Sequence, residues 1–363
     1  MSERLDPGEV RRLTLGRQLL LGRADMPSLD AMRQLGGLNA QHRRSPYIAL
    51  WSRLGHFRRQ DLEQALAQGK AYKATLMRGT LHLVAADEYP RYFTALAEAR
   101  RRAFHGFFPR VAGAVDEGLV RDNVAEALRQ RHAVAFREFE RILQPLFPEA
   151  PAASLSFAAK ALAPVVQLPP AGLWHGTGSP QYGWAAVPSE TDPRTAQEDL
   201  LVRYLAAFGP ATAQDFAQWS GLGVATAQAV RGRLGDRLRE LASDGGLLLD
   251  LARPPQTPDT DPPVRFLPRW DNLLLAYQDR SRVLAPELRD QVIMRDGRVL
   301  ATFLVDGEVA GVWDVEETAH DCTVVLTPLR TIAHSRMEEL RDEADRLAAW
   351  IAPGGQAGHR LER

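Results

Sequence analysis

The same order of predicted elements occurs three times along this 363-residue chain, and this repeat constrains the fold more than any other feature. In each unit, segments whose apolar residues recur with helical periodicity come first. They are followed by strand-like segments, in which apolar and polar residues alternate or Gly and Pro mark the ends. Three short helices followed by strands is the order of a winged helix. The repeat is one of pattern and not of identity. It predicts tandem winged-helix modules, each a helix-turn-helix plus a wing.

The segments with helical periodicity can be assigned to each unit by residue range. In the first unit they cover 8–22, 28–35 (with Ser28 as N-cap), 47–54 and 61–72, before the strand-like LMRGTLHLV at 76–84. In the second they cover 121–131, 136–147 and 154–163, before strand material that starts at residue 165. The third unit begins at Asp199 with LLVRYLAAFGP and ends with GLLLDLA.

The third unit contains the clearest local signal. Two short helical segments, ATAQDFAQWSG and VATAQAVRGRLGDRL, flank a turn from Gly221 to Gly223, which predicts a helix-turn-helix. Arg231 and Arg233 lie on the second helix and are candidate DNA contacts. Winged helices also serve as protein-contact modules, so a protein partner is the alternative.

A Pro-rich segment, RPPQTPDTDPP at 253–263, indicates a domain boundary, because no helix or central strand could contain it. Beyond it, VRFLPRWDNLLLAY, RVLATFLVDGEVAGVW and CTVVLTPL are strand-like, with hairpin turns at Asp296-Gly297 and Asp306-Gly307. A helix from Ser335 to Trp350 would pack across these strands. The expected fold class is α+β. It comprises winged-helix modules at 1–115, 116–195 and 196–252, followed by a β-rich, barrel-like domain at 264–352.

Charge is distributed unevenly although the whole chain is neutral, with 45 Lys and Arg against 45 Asp and Glu. Residues 33–110 carry 14 Lys and Arg against 5 Asp and Glu, and the rest of the chain carries 31 against 40. Such asymmetry indicates a polyanion-binding face, because phosphate neutralisation supplies most non-specific affinity for nucleic acids.

Composition excludes several other classes of protein. No apolar run approaches the roughly 20 residues that span a bilayer, so no membrane association is expected. The start, MSERLDPGEVRR, lacks the apolar core of a secretory signal, which predicts a cytoplasmic location. The single Cys322 excludes an intramolecular disulfide and a Cys-based zinc site, and the nine His show no His-x3-His spacing. We therefore expect no metal and no cofactor.

The candidate site residues cluster in GGLNAQHRRSP, residues 36–46. Two side-chain amides, Asn39 and Gln41, flank one alanine at or just beyond a predicted helix end. Either Asn39 caps the helix and Gln41 satisfies a loop backbone, or the two amides form a site. His42, Arg43 and Arg44 follow directly and are either a solvated face or phosphate contacts.

Four motifs in order resemble one known family. They are LNAQ at 38–41, MRGTLHLV at 77–84, FLPRWDNLLLAYQDRSRVL at 266–284 and LVDGEVAGVW at 304–313. Together they resemble the AlkZ-like winged-helix DNA glycosylases, a bacterial superfamily that includes self-resistance enzymes for DNA-alkylating antibiotics. The resemblance implies tandem winged helices around a concave basic surface, a C-terminal β-barrel, and double-stranded DNA with alkylated purines as the partner. We expect a monomer.

In that family the catalytic element is Gln-x-Gln, with variants such as His-x-Gln and Gln-x-Asp, near the end of an early helix. The matching positions here are Asn39, Ala40 and Gln41, so the second member matches and the first departs. Asn is one methylene shorter than Gln and would hold a water roughly a bond length away from where Gln would. A misplacement of about 1 Å can cost on the order of a hundredfold in rate.

A pair of amides suits a particular leaving group. Hydrolysis of an N-glycosidic bond passes through an oxocarbenium-like cation, and the usual helper is a carboxylate. A neutral amide is a poor general base, but it accepts one hydrogen bond from a water and donates another. Positioning the water is sufficient when the base is an N7-alkylated purine, because its positive charge lets it leave without protonation. This predicts cationic lesions as the substrate class. The family resemblance extends the expectation to bulky antibiotic adducts or crosslinks.

Further candidates lie on the predicted strand and in the C-terminal domain. Arg78 and His82 should share one face of the 76–84 strand and, with Lys73, line a DNA channel. The alternative for His82 is a buried imidazole bonded to a carbonyl. Asp271 lies where the family has a similar acidic-Asn turn, and it is either a carboxylate for the site or a turn former.

Two functions fit these residues. The first is a monofunctional DNA glycosylase that leaves an abasic site and whose basic contacts offset the cost of flipping the damaged base. The second is a non-catalytic winged-helix DNA-binding protein, either a transcriptional regulator or a damage binder. Release of a free base from DNA that contains N7-methylguanine separates the two.

Overall fold

A computed structural model describes residues 4–111, 113–188, 191–318 and 321–362. Its helices are α1 (Pro7–Arg17), α2 (Ser28–Gln34), α3 (Ser45–Arg53), α4 (Arg59–Ala67), α5 (Tyr89–Ala95), α6 (Ala97–Phe107), α7 (Glu117–Arg131), α8 (Glu138–Leu143), α9 (Ala152–Leu162), α10 (Pro193–Phe208), α11 (Ala213–Ser220), α12 (Val224–Leu234), α13 (Asn272–Leu275), α14 (Arg289–Val292) and α15 (His334–Ile351). Its strands are β1 (Arg4–Leu5), β2 (Leu38–Asn39), β3 (Ala71–Thr75), β4 (Leu81–Ala85), β5 (Val134–Ala135), β6 (Val165–Leu168), β7 (Gln181–Trp184), β8 (Leu238–Ser243), β9 (Gly246–Leu251), β10 (Arg265–Leu267), β11 (Thr302–Val305), β12 (Glu308–Glu317), β13 (Asp321–Pro328) and β14 (Gln356–Leu361). The mixed α+β class is confirmed.

Local chemistry explains how the N-terminal helices begin. Asp6 caps α1 by accepting a hydrogen bond from the backbone of Glu9, whose carboxylate accepts one from the backbone of Asp6 in return. The predicted N-cap of α2 is wrong by one residue, because Pro27 is the cap and Ser28 is the first helical residue. Pro27 has extended backbone angles and no N–H, which places it naturally just before the helix.

One six-stranded sheet joins the first two predicted modules. Its strand order is β2-β4-β3-β6-β7-β5, so strands from 1–115 lie beside strands from 116–195. The junction is the antiparallel pairing of β3 with β6, in which Lys73 lies opposite Gln167. The two predicted modules therefore share a sheet across residue 115 instead of each having its own wing.

The third predicted unit folds as three helices and a hairpin. Helices α10, α11 and α12 precede β8 and β9, and β1 extends this hairpin to a three-stranded sheet. Gly221 ends α11 in the left-handed conformation, with φ of 81°. A Cβ at this position would lie 2.9 Å from the Cα of Arg78, so α11 ends against the first unit. The order of elements fits a helix-turn-helix with a wing, and the winged-helix interpretation stays a prediction.

The C-terminal strands form an open sheet and not the predicted barrel. Its order is β10-β11-β12-β13-β14, and β10 and β14 do not pair with each other in the described part of the chain. The helix α15 connects β13 to its parallel neighbour β14, and its predicted face of Leu340, Ala344 and Leu347 is fully buried. Because α15 covers the sheet, the strands bury their apolar side without closing into a cylinder.

Two details of the C-terminal prediction have different outcomes. The hairpin at Asp306-Gly307 is confirmed, and both residues have positive φ, as a type I′ turn requires. The strand-like reading of VRFLPRWDNLLLAY is wrong at its centre, because Asp271 starts the short helix α13 there. No helix among the described residues is long and apolar enough to cross a membrane.

The N-terminal helices pack directly against the C-terminal sheet. One hydrophobic cluster contains buried residues of α2, α3 and α4 together with residues of β10–β13 and α15. Trp51 and Trp350 contact each other in this cluster, with ring centroids 6.0 Å apart. The segment after α2, where Asn39 and Gln41 lie, is therefore held between two parts of the molecule that are distant in sequence.

Candidate active site

Asn39 and Gln41 lie on and just after a two-residue strand. Gly36 and Gly37 follow α2 with φ of 70° and 84° and turn the chain into β2. In β2, Asn39 lies opposite His82 of β4. A Cβ at Gly37 would lie 3.0 Å from Val84 Cγ1 and 3.1 Å from the carbonyl of Leu83, so only glycine fits the approach to β4. The interpretation of Asn39 as a helix cap is wrong, because it belongs to a sheet.

Backbone N–H groups orient both amides. The N–H of Gln41 donates to Asn39 Oδ1 at 3.0 Å, and the N–H of Leu81 donates to Gln41 Oε1 at 3.1 Å. These donors determine which end of each amide is oxygen. A carbonyl oxygen has two lone pairs, so each amide oxygen keeps one for a further hydrogen bond. Asn39 is 5% exposed and Gln41 is exposed, so the first amide is buried and the second lies at the protein surface.

A basic cleft begins at the residue after Gln41. His42, Arg43 and Arg44 line one side of a space of about 430 Å³, and residues of β12 and the end of β10 line the other. Arg269 belongs to that second side and forms an ion pair with Asp314 at 2.6 Å. A cleft of this size matches those that hold small organic ligands or nucleotides.

The basic side chains of the cleft differ in the partners that offset their charge. Arg44 forms an ion pair with Glu317, and its guanidinium carbon lies 4.5 Å from the ring centroid of Trp174. Arg43 donates to the carbonyl of Gly176. Desolvation, followed by the charges of Arg269, Arg44 and Arg43, lowers the pKa of His42, so its imidazole is neutral near pH 7.

Lys73 and Arg43 form a pair of neighbouring cations for which the described residues supply no acidic partner. Lys73 projects from β3 and is 8% exposed. Burial, and then the charge of Arg43, lowers the pKa of the Lys73 amine. Within the described residues, neither side chain makes an ion pair. Two such cations near each other favour an anion between them, and a DNA phosphate has the required charge.

Arg78 and His82 do not share a strand face. Arg78 lies in a short 3₁₀ turn at 77–79 with φ of 54°, and β4 starts only at Leu81. Its guanidinium donates to the carbonyl of Trp219, and burial lowers its pKa to about 10, so it keeps its charge in the interior. The prediction that Arg78 lines a DNA channel is therefore wrong, and Arg78 instead connects the first unit to the third.

His82 is fully buried, which corrects its predicted contact with DNA. Its Nδ1 lies 3.1 Å from the carbonyl of Thr80, as in the alternative interpretation of a buried imidazole. Burial, and then the charge of Arg78, lowers the pKa of His82 to about 3. The imidazole is therefore neutral, and His82 is related to Asn39 by the backbone pairing of β4 with β2.

Arg231 and Arg233 lie on α12, outside the lining of the cleft. Arg231 forms an ion pair with Glu240, and Arg233 forms one with Glu198 at 2.7 Å. The structure therefore does not bring them together with Asn39 and Gln41. The excess charge of 33–110 is also partly internal, because Arg53 and Arg100 are buried.

Asp271 has a structural role. Its two carboxylate oxygens each accept a hydrogen bond from the guanidinium of Arg53 at 2.9 Å, and one also caps α13 by accepting from the N–H of Leu273. Both partners of the ion pair are almost fully buried. Because its oxygens are occupied, Asp271 is the turn former of the two interpretations, and Asn272 is the residue of this segment that reaches the motif strand.

Sequence reasoning missed Asn272 and Arg269, and the signals for both were weak. Arg269 and Asn272 stand on either side of the Trp270-Asp271 pair in a segment that the pattern assigned to strands. The helix start at Asp271 redirects the neighbouring side chains, and no periodicity reports that change.

Comparison with known proteins identifies the family of this chain. A family model described as "DNA glycosylase AlkZ-like" matches residues 32–350, a range that includes both amides and the cleft. The chain belongs to the AlkZ-like DNA glycosylase family. The predicted family is thereby confirmed, and so is the predicted enzyme class, a hydrolase acting on N-glycosyl bonds.

Similarity to individual proteins leads to Streptomyces sahachiroi in both sequence and structure. A protein named "Interstrand DNA cross-link repair glycosylase" is 27% identical, over 92% of this chain and 93% of that protein. The solved structure of "Streptomyces sahachiroi DNA glycosylase AlkZ" is 23% identical and has a TM-score of 0.70, covering 99% of this chain and 100% of that one. At this identity the structural likeness establishes the fold.

Proposed function

We propose that this AlkZ-like chain is a monofunctional DNA glycosylase that hydrolyses the N-glycosidic bond of cationic N7-alkylated purines. It acts as a monomer on double-stranded DNA, and its substrates include bulky adducts and crosslinks. Asn39 and Gln41 position the attacking water. The observation that carries the proposal is the orientation of both amide oxygens by backbone donors, because it leaves one acceptor site on each.

Two acceptors can fix the orientation of a nucleophilic water. When both of its protons are held by acceptors, its oxygen lone pair points away from them and toward the anomeric carbon. As the bond between that carbon and the purine breaks and the bond to oxygen forms, the water releases one proton to solvent, because a neutral amide is a poor base. The free lone pairs of Asn39 Oδ1 and Gln41 Oε1 supply these two acceptors. Neither amide has to rotate when the water binds, because Gln41 N–H and Leu81 N–H already fix them.

The hydrogen bond that Asn39 accepts explains why position 39 carries Asn where the family pattern has Gln. Its Oδ1 accepts from the N–H two residues later, which is the geometry of an Asx turn. A Gln side chain is one methylene longer and does not form this turn. Asn at position 39 therefore builds the loop that carries Gln41, so the shorter side chain retunes the site.

The carboxylates near the site support a cationic leaving group. Asp271 is paired with Arg53, Asp314 with Arg269, and Glu317 with Arg44. In each pair the carboxylate oxygens are engaged by a guanidinium and are not free to accept a proton from the water. Without a free carboxylate, the site can position water but gives little help to a neutral base, and an N7-alkylated purine needs no such help.

DNA would lie across the basic cleft. Arg43 and Lys73 are the cations best placed to hold phosphate, because their charges lack acidic partners among the described residues. Arg43 lines this cleft together with Arg44 and His42, and Arg269 adds a contact from the segment after β10. Lys73 is outside that lining and lies beside Arg43. These contacts would offset the few kcal/mol that extruding the damaged nucleotide costs.

The test is excision from defined DNA. A duplex with one N7-methylguanine is incubated with excess protein, and free base and abasic sites are quantified separately. The proposal predicts equal amounts of both products and no strand cleavage without alkali. Binding to the duplex without release of base, from this lesion and from a bulky N7 adduct, would support the non-catalytic alternative instead.

A further inference from the structure

Asn272 connects the C-terminal domain to the strand that carries Asn39. Its Nδ2 donates to the carbonyl of Gly37 at 2.8 Å, and the side chain is 5% exposed. Gly37 lies two residues before Asn39 and adopts a positive φ, which glycine can do because it lacks a Cβ. This buried hydrogen bond holds the backbone that leads into β2.

Asn272 is itself held by a rigid network. It is the first residue of α13, whose N-terminus is capped by Asp271. The carboxylate of Asp271 accepts two hydrogen bonds from Arg53, which also donates to the carbonyl of Gln18 at 3.0 Å. The chain of contacts runs from the end of α1, through α3, to α13 and then to β2.

Two polar groups near this contact have no hydrogen-bond partner among the described residues, and one is an acceptor while the other is a donor. Asn272 Oδ1 is buried and accepts no hydrogen bond from any described residue. The bond between Asn39 and Gln41 uses only the Oδ1 end of the Asn39 amide, and Asn39 Nδ2 donates to none of the described residues. Both residues line one small cavity of about 10 Å³, beside Gln18, Arg53 and Asp271.

This cavity has the size of one water molecule. A site needs roughly 10–15 Å³ and at least two polar partners to hold a water. A water here would donate to Asn272 Oδ1 and accept from Asn39 Nδ2, which satisfies both groups. An unsatisfied buried amide oxygen is otherwise costly.

We propose that Asn272 is a positioning residue for base excision. Its Nδ2 holds the backbone of Gly37, and its Oδ1 holds the amide of Asn39 through one buried water. Together these contacts keep Asn39 Oδ1 directed toward the nucleophilic water. The inference rests on the proposed function, and it adds a residue that acts through Asn39 without touching the substrate.

The first test is a double-mutant cycle with near-isosteric apolar replacements. Asn272→Leu should lower the single-turnover excision rate by about 10- to 100-fold and leave the DNA dissociation constant within about twofold. Asn39→Leu/Asn272→Leu should be no slower than Asn39→Leu alone, because Asn272 acts through Asn39. Multiplying losses, or an unchanged rate in Asn272→Leu, would overturn the proposal.

The matched control is Asn123→Leu. Asn123 also donates its Nδ2 to a backbone carbonyl, that of Leu119 at 2.8 Å, but on the exposed surface of α7. Its replacement should leave the excision rate unchanged. A loss in Asn123→Leu equal to that in Asn272→Leu would show that the effect comes from removing any such amide.

A second measurement uses the unmodified protein and does not depend on activity. The chain has three asparagines, Asn39, Asn123 and Asn272, so selective ¹⁵N-asparagine labelling gives three side-chain amide pairs. The NH₂ protons of Asn272 and Asn39 should exchange at least about tenfold more slowly than those of Asn123. Equal exchange would overturn the inference. Slow exchange in a protein that releases no base would contradict only the proposed function.

Discussion

The backbone N–H of Leu81 donates to Oε1 of Gln41 across 3.1 Å, so the first residue of β4 orients an exposed side chain that follows β2. Asn39 makes the complementary contact by accepting from the N–H of Gln41. The two amides thus form a unit with β4, and changes in how β2 meets β4 should affect activity.

Gly37 provides the most direct change of that kind. Gly37→Ala places a Cβ 3.0 Å from Val84 Cγ1 at a residue with φ of 84°. We expect a loss of about 1–3 kcal/mol in the free energy of unfolding and a slower excision rate. Urea denaturation and single-turnover kinetics measure the two effects. Gly232→Ala is the control, because Gly232 lies within α12 with open space around it, and should stabilise by about 0.5–1 kcal/mol. Equal effects of the two substitutions would contradict the account.

Arg43 and Lys73 should contribute phosphate contacts that depend on salt. Arg43→Gln and Lys73→Gln should each weaken DNA binding and reduce the slope of log K against log salt concentration by about 0.9. Fluorescence anisotropy at several salt concentrations measures this slope. Arg129→Gln is the control, because Arg129 lies on the exposed surface of α7 and pairs with Glu126. A slope that does not change in either variant would remove these residues from the interface.

Asp271 should matter for stability and not for proton transfer. Asp271→Asn leaves the buried guanidinium of Arg53 without its counter-charge, and we expect a loss of about 3–5 kcal/mol in the free energy of unfolding. Asp290→Asn removes the partner of an exposed pair with Arg289 and should cost less than about 1 kcal/mol. Denaturant unfolding gives both values. An Asp271→Asn protein of unchanged stability that has lost excision would restore Asp271 as a catalytic carboxylate.

His82 should make stability depend on pH in the acidic range. Its folded pKa is about 3, far below the ordinary value of 6.5, so between these values the unfolded chain binds a proton that the native protein does not. Stability should therefore fall as the pH drops below 6.5, by about 1.4 kcal/mol per pH unit for this group. Between pH 7 and pH 5, wild type should lose about 2 kcal/mol more than His82→Leu in urea unfolding. Identical losses would show that His82 is not buried as a neutral imidazole.

The sequence predicted most helices but not how the sheets join. Hydrophobic periodicity reports which face of a helix is buried, as at Leu340 and Ala344 of α15. It carries no information on partners, so the pairing of Lys73 with Gln167 across two predicted modules was not foreseen. The open C-terminal sheet depends on where α15 packs, and that tertiary contact is likewise not visible in local periodicity.

The candidate site was predictable in part, and for a comparable reason. The spacing of Asn39 and Gln41 is a local property and is visible in the sequence. The roles of Arg78, His82 and Asp271 depend on burial by distant elements, and each of them turned out to face the interior. Asn272 could not be found from spacing, because its contact with Gly37 crosses 235 positions of the chain.

The central claim is that Gln41 acts as a hydrogen-bond acceptor for the attacking water, and two substitutions of similar length test it. Gln41→Met removes the acceptor, and Gln41→Glu keeps it. The measurement is the single-turnover rate of N7-methylguanine excision. Gln41→Met should be slower by about a hundredfold or more, with DNA affinity little changed, and Gln41→Glu should stay within about tenfold of wild type. Excision by Gln41→Met at the wild-type rate would contradict the account.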